Sequence, residues 1–228
     1  AYMSAEASLQ ESFQNAGKEF GYSAVKAQYT PFKEFKIKWQ RSAGWAEFQV
    51  SDYLMDADRD VIQGLAHSLF VRITKGRRDP YPESMKDWMT STEFVHQKQP
   101  VYVRRSRNLT RSPHGRHRNL MDSVDRLVSQ GMVEKDQDMF ISWTKERNHR
   151  RVGYCSVLMK VIAISSVFDD PEVPEYVLDY VVYHEMLHLN NGVDPDSPKH
   201  GPEFRAQERE FPRWEEAEAW LRKIALDR

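Results

Sequence analysis

Cysteine is almost absent from this chain: its 228 residues include one, Cys155. An intramolecular disulfide is therefore excluded, and so is a zinc cluster built from several cysteine thiolates. A single thiol favours a reducing compartment, and the first residues show no basic segment followed by an apolar one, so we expect a cytoplasmic protein. The chain also lacks a run of about 18 apolar residues, which a membrane span requires, so we expect no membrane partner.

A strong excess of one charge is missing too, because the formal net charge is -1. This excludes a general polycation that binds nucleic acid along its whole length. With 40% hydrophobic and 12% aromatic residues, the chain can form a core. At this length we expect one domain over residues 1–228, with a helical and hairpin part at 1–130 and a second part at 131–228. No internal repeat is visible.

Apolar periodicity predicts a mixture of helices and strands, hence an α+β fold with a small antiparallel or mixed sheet packed against helices. A hairpin with one buried face is predicted where Phe35, Ile37 and Trp39 alternate with lysines and a second alternating run begins at Trp45. Helices are predicted over 4–20, 57–75, 83–97, 119–130 and 170–192, and strands over 139–145 and 160–166.

The segment 177–192 combines a strongly apolar helix with two histidines and a glutamate. Positions four apart share one face of an α-helix, so His184 and His188 can bind one metal ion while Glu185 reaches a water on that metal. In an ordinary buried helix these side chains would lack partners, at roughly 1–3 kcal/mol each. The pattern therefore predicts a zinc site with Glu185 as general base.

A zinc site of this kind needs a third protein ligand and an open fourth position for water. His200 follows a turn-rich stretch after the helix, which allows the chain to reverse and return to the metal. Glu203 and Glu208 are the competing ligands. We favour His200, for which the alternative is a solvent-exposed histidine at the start of a helix.

Several motifs in the last third of the chain resemble the YgjP-like metallopeptidase family and the related SprT-like proteases. They span about residues 148–224 and read "RVGYC", "KVIAISSVF", "PEYVLDYVVYHEMLHL", "KHGPEF" and "FPRWEEAEAWLRK". The resemblance implies a minimal zincin-like fold built around the His-Glu-x-x-His helix, with the zinc-binding catalytic core in residues 131–228. It implies the metal ligands His184, His188 and His200 and the general base Glu185.

Other residues near this helix are weaker candidates. A strand at 160–166 could pair with an extended substrate, although a core strand is an equal alternative. Tyr154, Tyr180 and Tyr183 are candidates to stabilise the oxyanion formed during peptide hydrolysis. We expect Cys155 to be a small packing residue rather than a metal ligand or a redox switch.

The stretch 104–118 is rich in arginine and contains no acidic residue. Arginine suits phosphate contacts, so a nucleic-acid partner is one interpretation, and a mobile solvated loop is the other. Further positive charge lies at 145–151.

Taken together, these patterns predict a zinc-dependent metallopeptidase that acts on a peptide or protein substrate. Two alternatives stay open. One is a DNA-associated SprT-like protease that uses the stretch 104–118, and the other is a non-catalytic binding module in which the metal only organises the fold.

Overall fold

A computed structural model describes residues 2–193 and 198–227. Helices and two small mixed sheets make up this part of the chain, so the predicted α+β class is confirmed. None of its helices is long and apolar enough to cross a membrane. The chain divides into two compact units, Ala1–Ser91 and Thr92–Arg228. A compact unit is not by itself an independent domain, so a single domain over 1–228, divided at residue 130, stays a prediction.

The first unit is built from a helix, three strands and two further helices. Its sheet has the order β1-β3-β2, in which β1 is parallel to the central β3 and β2 is antiparallel to it. A 3-10 turn, Asp52–Leu54, follows β3. The elements are α1 (Ala5–Glu19), β1 (Ala24–Thr30), β2 (Ile37–Ser42), β3 (Trp45–Ser51), α2 (Arg59–Lys75) and α3 (Glu83–Met89).

The predicted hairpin is present as β2 and β3, but its two strands are covered unequally. Phe48 in β3 is buried against Phe13 of α1 and Phe70 of α2. Trp39 lies directly opposite Phe48 in β2, yet 45% of it is exposed. The prediction of one buried face is therefore right for β3 and wrong for β2, which is an edge strand of the sheet and is exposed at every residue after Ile37.

The second unit repeats this arrangement and adds a helix at each end. Its sheet has the order β4-β6-β5, with β4 parallel and β5 antiparallel to the central β6. A 3-10 turn, Ser166–Phe168, follows β6. The elements are α4 (Thr92–Arg105), α5 (Leu120–Ser129), β4 (Phe140–Trp143), β5 (Gly153–Ser156), β6 (Val161–Ile164), α6 (Glu175–Asn191), α7 (Pro202–Glu208) and α8 (Trp214–Leu226).

Two predicted helices differ from the observed ones. The helix expected over 83–97 is two helices, α3 and α4, which are separated at residues 90–91, and the second continues to Arg105. The helix expected from Asp170 begins at Glu175, after Pro174 as its N-cap. Asp170 instead accepts a backbone hydrogen bond from Val173 in the turn that precedes the helix.

Helix α6 occupies the centre of the second unit. Val177, Val182 and Met186 of this helix are fully buried in the main hydrophobic cluster. An ion pair also ties α6 to α5, because Arg126 donates from Nε and Nη2 to the two carboxylate oxygens of Asp179 at 2.9 and 2.8 Å. The helix that carries the predicted ligands is therefore held rigidly by packing and by a two-point ionic contact.

Candidate metal centre

Helix α6 places His184 and His188 on adjacent turns of one face. Their ring centroids are 5.0 Å apart, as expected for residues separated by four positions. Both imidazoles are half-buried. The opposite side of the helix is anchored in the core, so this face is fixed toward the turn that precedes α7.

His200 joins the two histidines from that turn. Its Nε2 lies 3.0 Å from the Nε2 of His188, and one ligand atom from each of the three histidines lies within 4.8 Å of the others. Three imidazole nitrogens this close can bind one ion at the usual zinc–nitrogen distance of about 2.0–2.1 Å. The cluster could therefore hold a metal ion. Glu203, one of the competing ligands, is exposed on α7.

Glu208, the other competing ligand, lies behind His184. Its Oε1 is 2.5 Å from Nδ1 of His184, so the contact leaves Nε2 of that ring available to a metal. Burial, the largest single effect, lowers the pKa of His184, but the hydrogen bond with Glu208 and the negative charges of Glu185, Glu208 and Glu218 together outweigh it and leave the pKa raised. Burial lowers the pKa of His188 to about 4, which keeps this imidazole in the neutral form that metals require.

Phe204 supports the three imidazoles from the core side. Its ring stacks on His188 at 4.3 Å between centroids, and it meets His184 and His200 edge-on at 5.0 and 5.2 Å. Phe204 is itself buried. This contact makes α7 a fixed wall of the cluster and explains why the turn that carries His200 returns to α6.

Glu185 is enclosed between α6 and β5, with 5% of it exposed. Burial raises its pKa to about 7, even though the positive charges of His184 and Arg151 oppose the shift. Such a pKa suits a group that takes up and releases a proton near neutral pH. Gly153 provides the space: a Cβ there would lie 3.1 Å from Oε1 of Glu185. Sequence reasoning missed this role, although a glycine inside a strand often marks a close approach.

The edge strand beside the cluster is β5, not the strand predicted at 160–166. That strand is β6, which lies between β4 and β5 and is buried at every position, so the core strand is the one of the two alternatives that is observed. The amide of Ser165 donates to the carbonyl of Val152, which sets the hydrogen-bonding alternation along β5. The main-chain groups of Gly153 and Cys155 consequently point away from β6, where an extended peptide could pair with them.

The three tyrosines have other partners or directions. Tyr180 donates to Oε1 of Glu218 at 2.6 Å, and Tyr183 donates to the carbonyl of Gln207 at 2.5 Å. Tyr154 follows Gly153 in β5, so its side chain leaves the strand on the face opposite Glu185. These contacts do not favour any of the three as the oxyanion-stabilising group.

Cys155 is half-buried in β5 and packs against the main hydrophobic cluster. Burial raises the pKa of its thiol well above the usual range. A protonated thiol is a poor ligand and a poor nucleophile, which agrees with the expected packing role.

The stretch 104–118 is held in place by the second unit. The backbone N–H groups of Arg116, His117 and Arg118 donate to the carboxylate of Asp169 at 2.5, 2.9 and 2.9 Å. Arg118 also donates from its guanidinium to the carbonyl of Phe168 at 3.0 Å. These contacts favour an ordered loop over residues 116–118, while Arg107 and Arg111 are exposed as a solvated loop requires. A nucleic-acid partner stays a prediction.

Comparison with known proteins supports the resemblance seen in the sequence. Residues 146–224 match a family model described as YgjP-like, metallopeptidase domain. The matched segment contains β5, β6, α6 and α7, and thus the whole histidine cluster together with Glu185. The resemblance to this family is therefore confirmed over the segment. A search of curated proteins found no match, and a search of solved structures found none either.

Proposed function

We propose, from the YgjP-like metallopeptidase domain in residues 146–224, that this protein is a zinc-dependent peptidase whose ligands are His184, His188 and His200. The observation that supports this most directly is the convergence of three imidazoles beside the buried carboxylate of Glu185. A ligand set made only of nitrogen atoms fits zinc better than calcium or magnesium, which prefer oxygen. A bound zinc ion supplies Lewis acidity and lowers the pKa of a coordinated water.

In this proposal Glu185 is the general base. Its carboxylate takes the proton of the attacking water and later delivers it to the nitrogen of the leaving amine. Burial holds its pKa near 7, so both the acceptance and the release of the proton are accessible. Glu208 is a positioning residue, because its contact with Nδ1 of His184 orients the imidazole.

The substrate in this proposal is a peptide or protein segment in extended form. The outward main-chain groups of Gly153 and Cys155 on β5 would align it beside Glu185 by strand addition. The single cysteine fits a reducing compartment, so the cytoplasm stays our prediction for where the protein works.

The decisive test compares wild type with Glu185→Gln for metal content and for hydrolysis of a fluorescently labelled, unfolded casein. We expect the variant to keep its zinc and to lose hydrolysis by about 100-fold or more, because positioned proton transfer typically contributes that much. Glu203→Gln is the matched control, since it neutralises an exposed glutamate near the cluster. Undiminished hydrolysis by Glu185→Gln would contradict the assignment. A zinc-loaded wild type that cleaves nothing would favour the non-catalytic binding module in which the metal only organises the fold.

A further inference from the structure

The two units share one arrangement of elements that the sequence did not reveal. Each has a helix, three strands, a 3-10 turn, a long helix and a short helix in that order. In each sheet the third strand is central, the first is parallel to it and the second is an antiparallel edge. Connectivity, strand order and strand direction all agree, so α1 to α3 correspond to α5 to α7.

Two serines fix the residue-by-residue correspondence. Ser51 is the last residue of the central strand β3, and Ser165 directly follows the central strand β6. Each serine caps the 3-10 turn by accepting a hydrogen bond on its side chain, from Tyr53 and from Val167 respectively. Each serine amide also donates to the residue just before the edge strand, to the carbonyl of Lys36 in the first unit and of Val152 in the second. Edge strand β2 therefore corresponds to β5, with Trp39 at the place of Cys155.

The long helices correspond over their whole length. Helices α2 and α6 both have 17 residues, and each is followed by a glycine with positive φ, Gly76 and Gly192. The short helices α3 and α7 both have 7 residues. Alignment of these helices gives the following pairs of first-unit and second-unit residues: Ser68 and His184, Leu69 and Glu185, Arg72 and His188, Tyr81 and His200.

In the first unit the place of the metal is filled by an arginine. Arg72 donates to the carbonyl of Asp79 from Nε and Nη2, at 3.2 and 2.9 Å, and to the hydroxyl of Tyr81 at 3.1 Å. Its guanidinium lies over the ring of Tyr81, at 4.1 Å from the centroid. Ser68 donates to the carbonyl of Pro80 at 3.1 Å. These contacts hold the turn after α2, as a metal could hold His200 to α6 in the second unit. Leu69, at the place of Glu185, has no group that could act as a general base.

The edge strand of this copy is more accessible than its counterpart. In β2 every residue after Ile37 is exposed, whereas every residue of β5 is half-buried. The Ser51 amide donates a hydrogen bond to the carbonyl of Lys36, and main-chain groups along β2 then point alternately toward and away from β3. The N–H and C=O groups of Ile37, Trp39 and Arg41 therefore point away from β3. No further strand pairs with β2 in the part of the chain that the structure describes.

The side chains of β2 indicate what could pair with it. The segment from Lys36 to Arg41 contains three cations and no acid. Trp39 exposes 45% of its surface beside them, and large exposed aromatics commonly mark interaction sites. Cations that flank an open strand edge are complementary to an extended acidic segment.

We propose that the first unit is a metal-free copy of the catalytic unit and that its strand β2 docks an extended acidic segment of the protein substrate by strand addition. That the docked segment belongs to a substrate rests on the proposed function, whereas the docking itself does not. In this arrangement the second unit cleaves the substrate and the first unit binds it. Each unit uses the antiparallel edge strand of its sheet, β5 and β2 respectively.

The test measures binding of a fluorescein-labelled peptide of about eight residues, with alternating Glu and Val, by fluorescence anisotropy. All proteins carry Glu185→Gln, so the probe is not cut. Trp39→Pro removes an outward N–H without removing a bond to β3, because Trp39 and Phe48 form a non-hydrogen-bonded pair. Trp39→Val keeps that N–H and is the matched control. We expect the proline variant to bind about tenfold more weakly than the valine variant.

A second pair of variants keeps the test informative if the proline variant does not fold. Lys38→Glu with Arg41→Glu should weaken binding about tenfold or more, whereas the same charge change at the exposed Lys75 and Arg77 should alter it much less. Unchanged binding in the β2 variants would overturn the proposal. So would tighter binding of a single-stranded oligonucleotide through the same residues, which would make β2 a nucleic-acid site.

Failure of this test is distinguishable from failure of the proposed peptidase function. If β2 does not bind the acidic probe, wild type would still hydrolyse short peptides, so the proposed peptidase function would stand. A zinc protein without hydrolytic activity would still bind the acidic probe if β2 is a docking edge.

Discussion

Helices α2 and α6 have equal lengths and equivalent places, but their buried faces differ at one position. Leu69 is 1% exposed in α2, and Glu185 is 5% exposed at the same place in α6. Leucine there adds to the core, whereas a buried carboxylate costs free energy unless it is neutralised or used. The comparison shows that this buried position accepts either an apolar side chain or a carboxyl, and a carboxyl there adds nothing to the core, which supports the role proposed for Glu185. A carboxyl whose pKa is raised by burial, beside three histidines, is a candidate functional group.

The largest expected effect comes from placing the residue of one unit into the other. His188→Arg should remove most of the bound zinc and essentially all hydrolysis, because a guanidinium stays protonated and cannot replace an imidazole ligand. Metal content is measured on the purified protein by plasma mass spectrometry. Arg72→His is the control, and it should leave the zinc content and the hydrolysis of short peptides unchanged. Loss of zinc from the Arg72 variant would contradict the assignment of the metal to the second unit.

A reverse substitution sharpens the same comparison. A variant with Ser68→His, Arg72→His and Tyr81→His has three imidazoles at the equivalent places, so the first unit should gain a second, weaker zinc site. The measurement is the zinc stoichiometry, which should rise above that of wild type at saturating metal. If folding is intact and no second ion binds, the residue correspondence between the units would be wrong.

An intermediate effect is expected at the ion pair that holds α5 to α6. The place of Asp179 is taken by Gln63 in α2, so the first unit lacks this particular contact. Arg126→Ala leaves the nearly buried carboxylate of Asp179 without its partner and should lower the free energy of unfolding by about 2 kcal/mol, after allowance for the partial exposure of the arginine. Denaturant unfolding measures this value. Arg126→Ala with Asp179→Asn should recover part of the loss, and a loss below about 0.5 kcal/mol in the single variant would contradict the expectation.

The smallest expected effect concerns Cys155, which occupies in β5 the place that Trp39 occupies in β2. Burial raises the pKa of the Cys155 thiol, so little thiolate forms at neutral pH. We expect iodoacetamide to alkylate it about tenfold more slowly at pH 8 than it alkylates the same thiol in the unfolded protein. Because the pKa is raised, the rate should still be climbing with pH above the usual range of a thiol. Mass spectrometry follows the modification, and equal rates would show that the strand opens readily.

Prediction from the sequence was most successful where a pattern is local. The spacing of His184 and His188 predicted a shared helical face, and the long apolar segment predicted α6 apart from its start. Strand β5 was missed because four half-buried residues give no alternating pattern. Strand β6 was predicted, yet an apolar run of this length does not show whether a strand is central or an edge, since that depends on partners far away in the chain.

The sequence by itself determined the α+β class, the helix that carries the two histidines and the carboxylate, and the excess of positive charge at 104–118. These follow from side-chain identity and from the helical and strand periods, which are local properties of the chain. Tertiary structure decided that β5 is the edge beside Glu185, that Glu208 lies behind His184, and that the two units share one order of elements and one strand arrangement. Those features depend on which distant segments pack together. Because Arg72 stands at the place of His188, the first unit lacks the His-Glu-x-x-His pattern, and the likeness of the two units is not visible in the sequence.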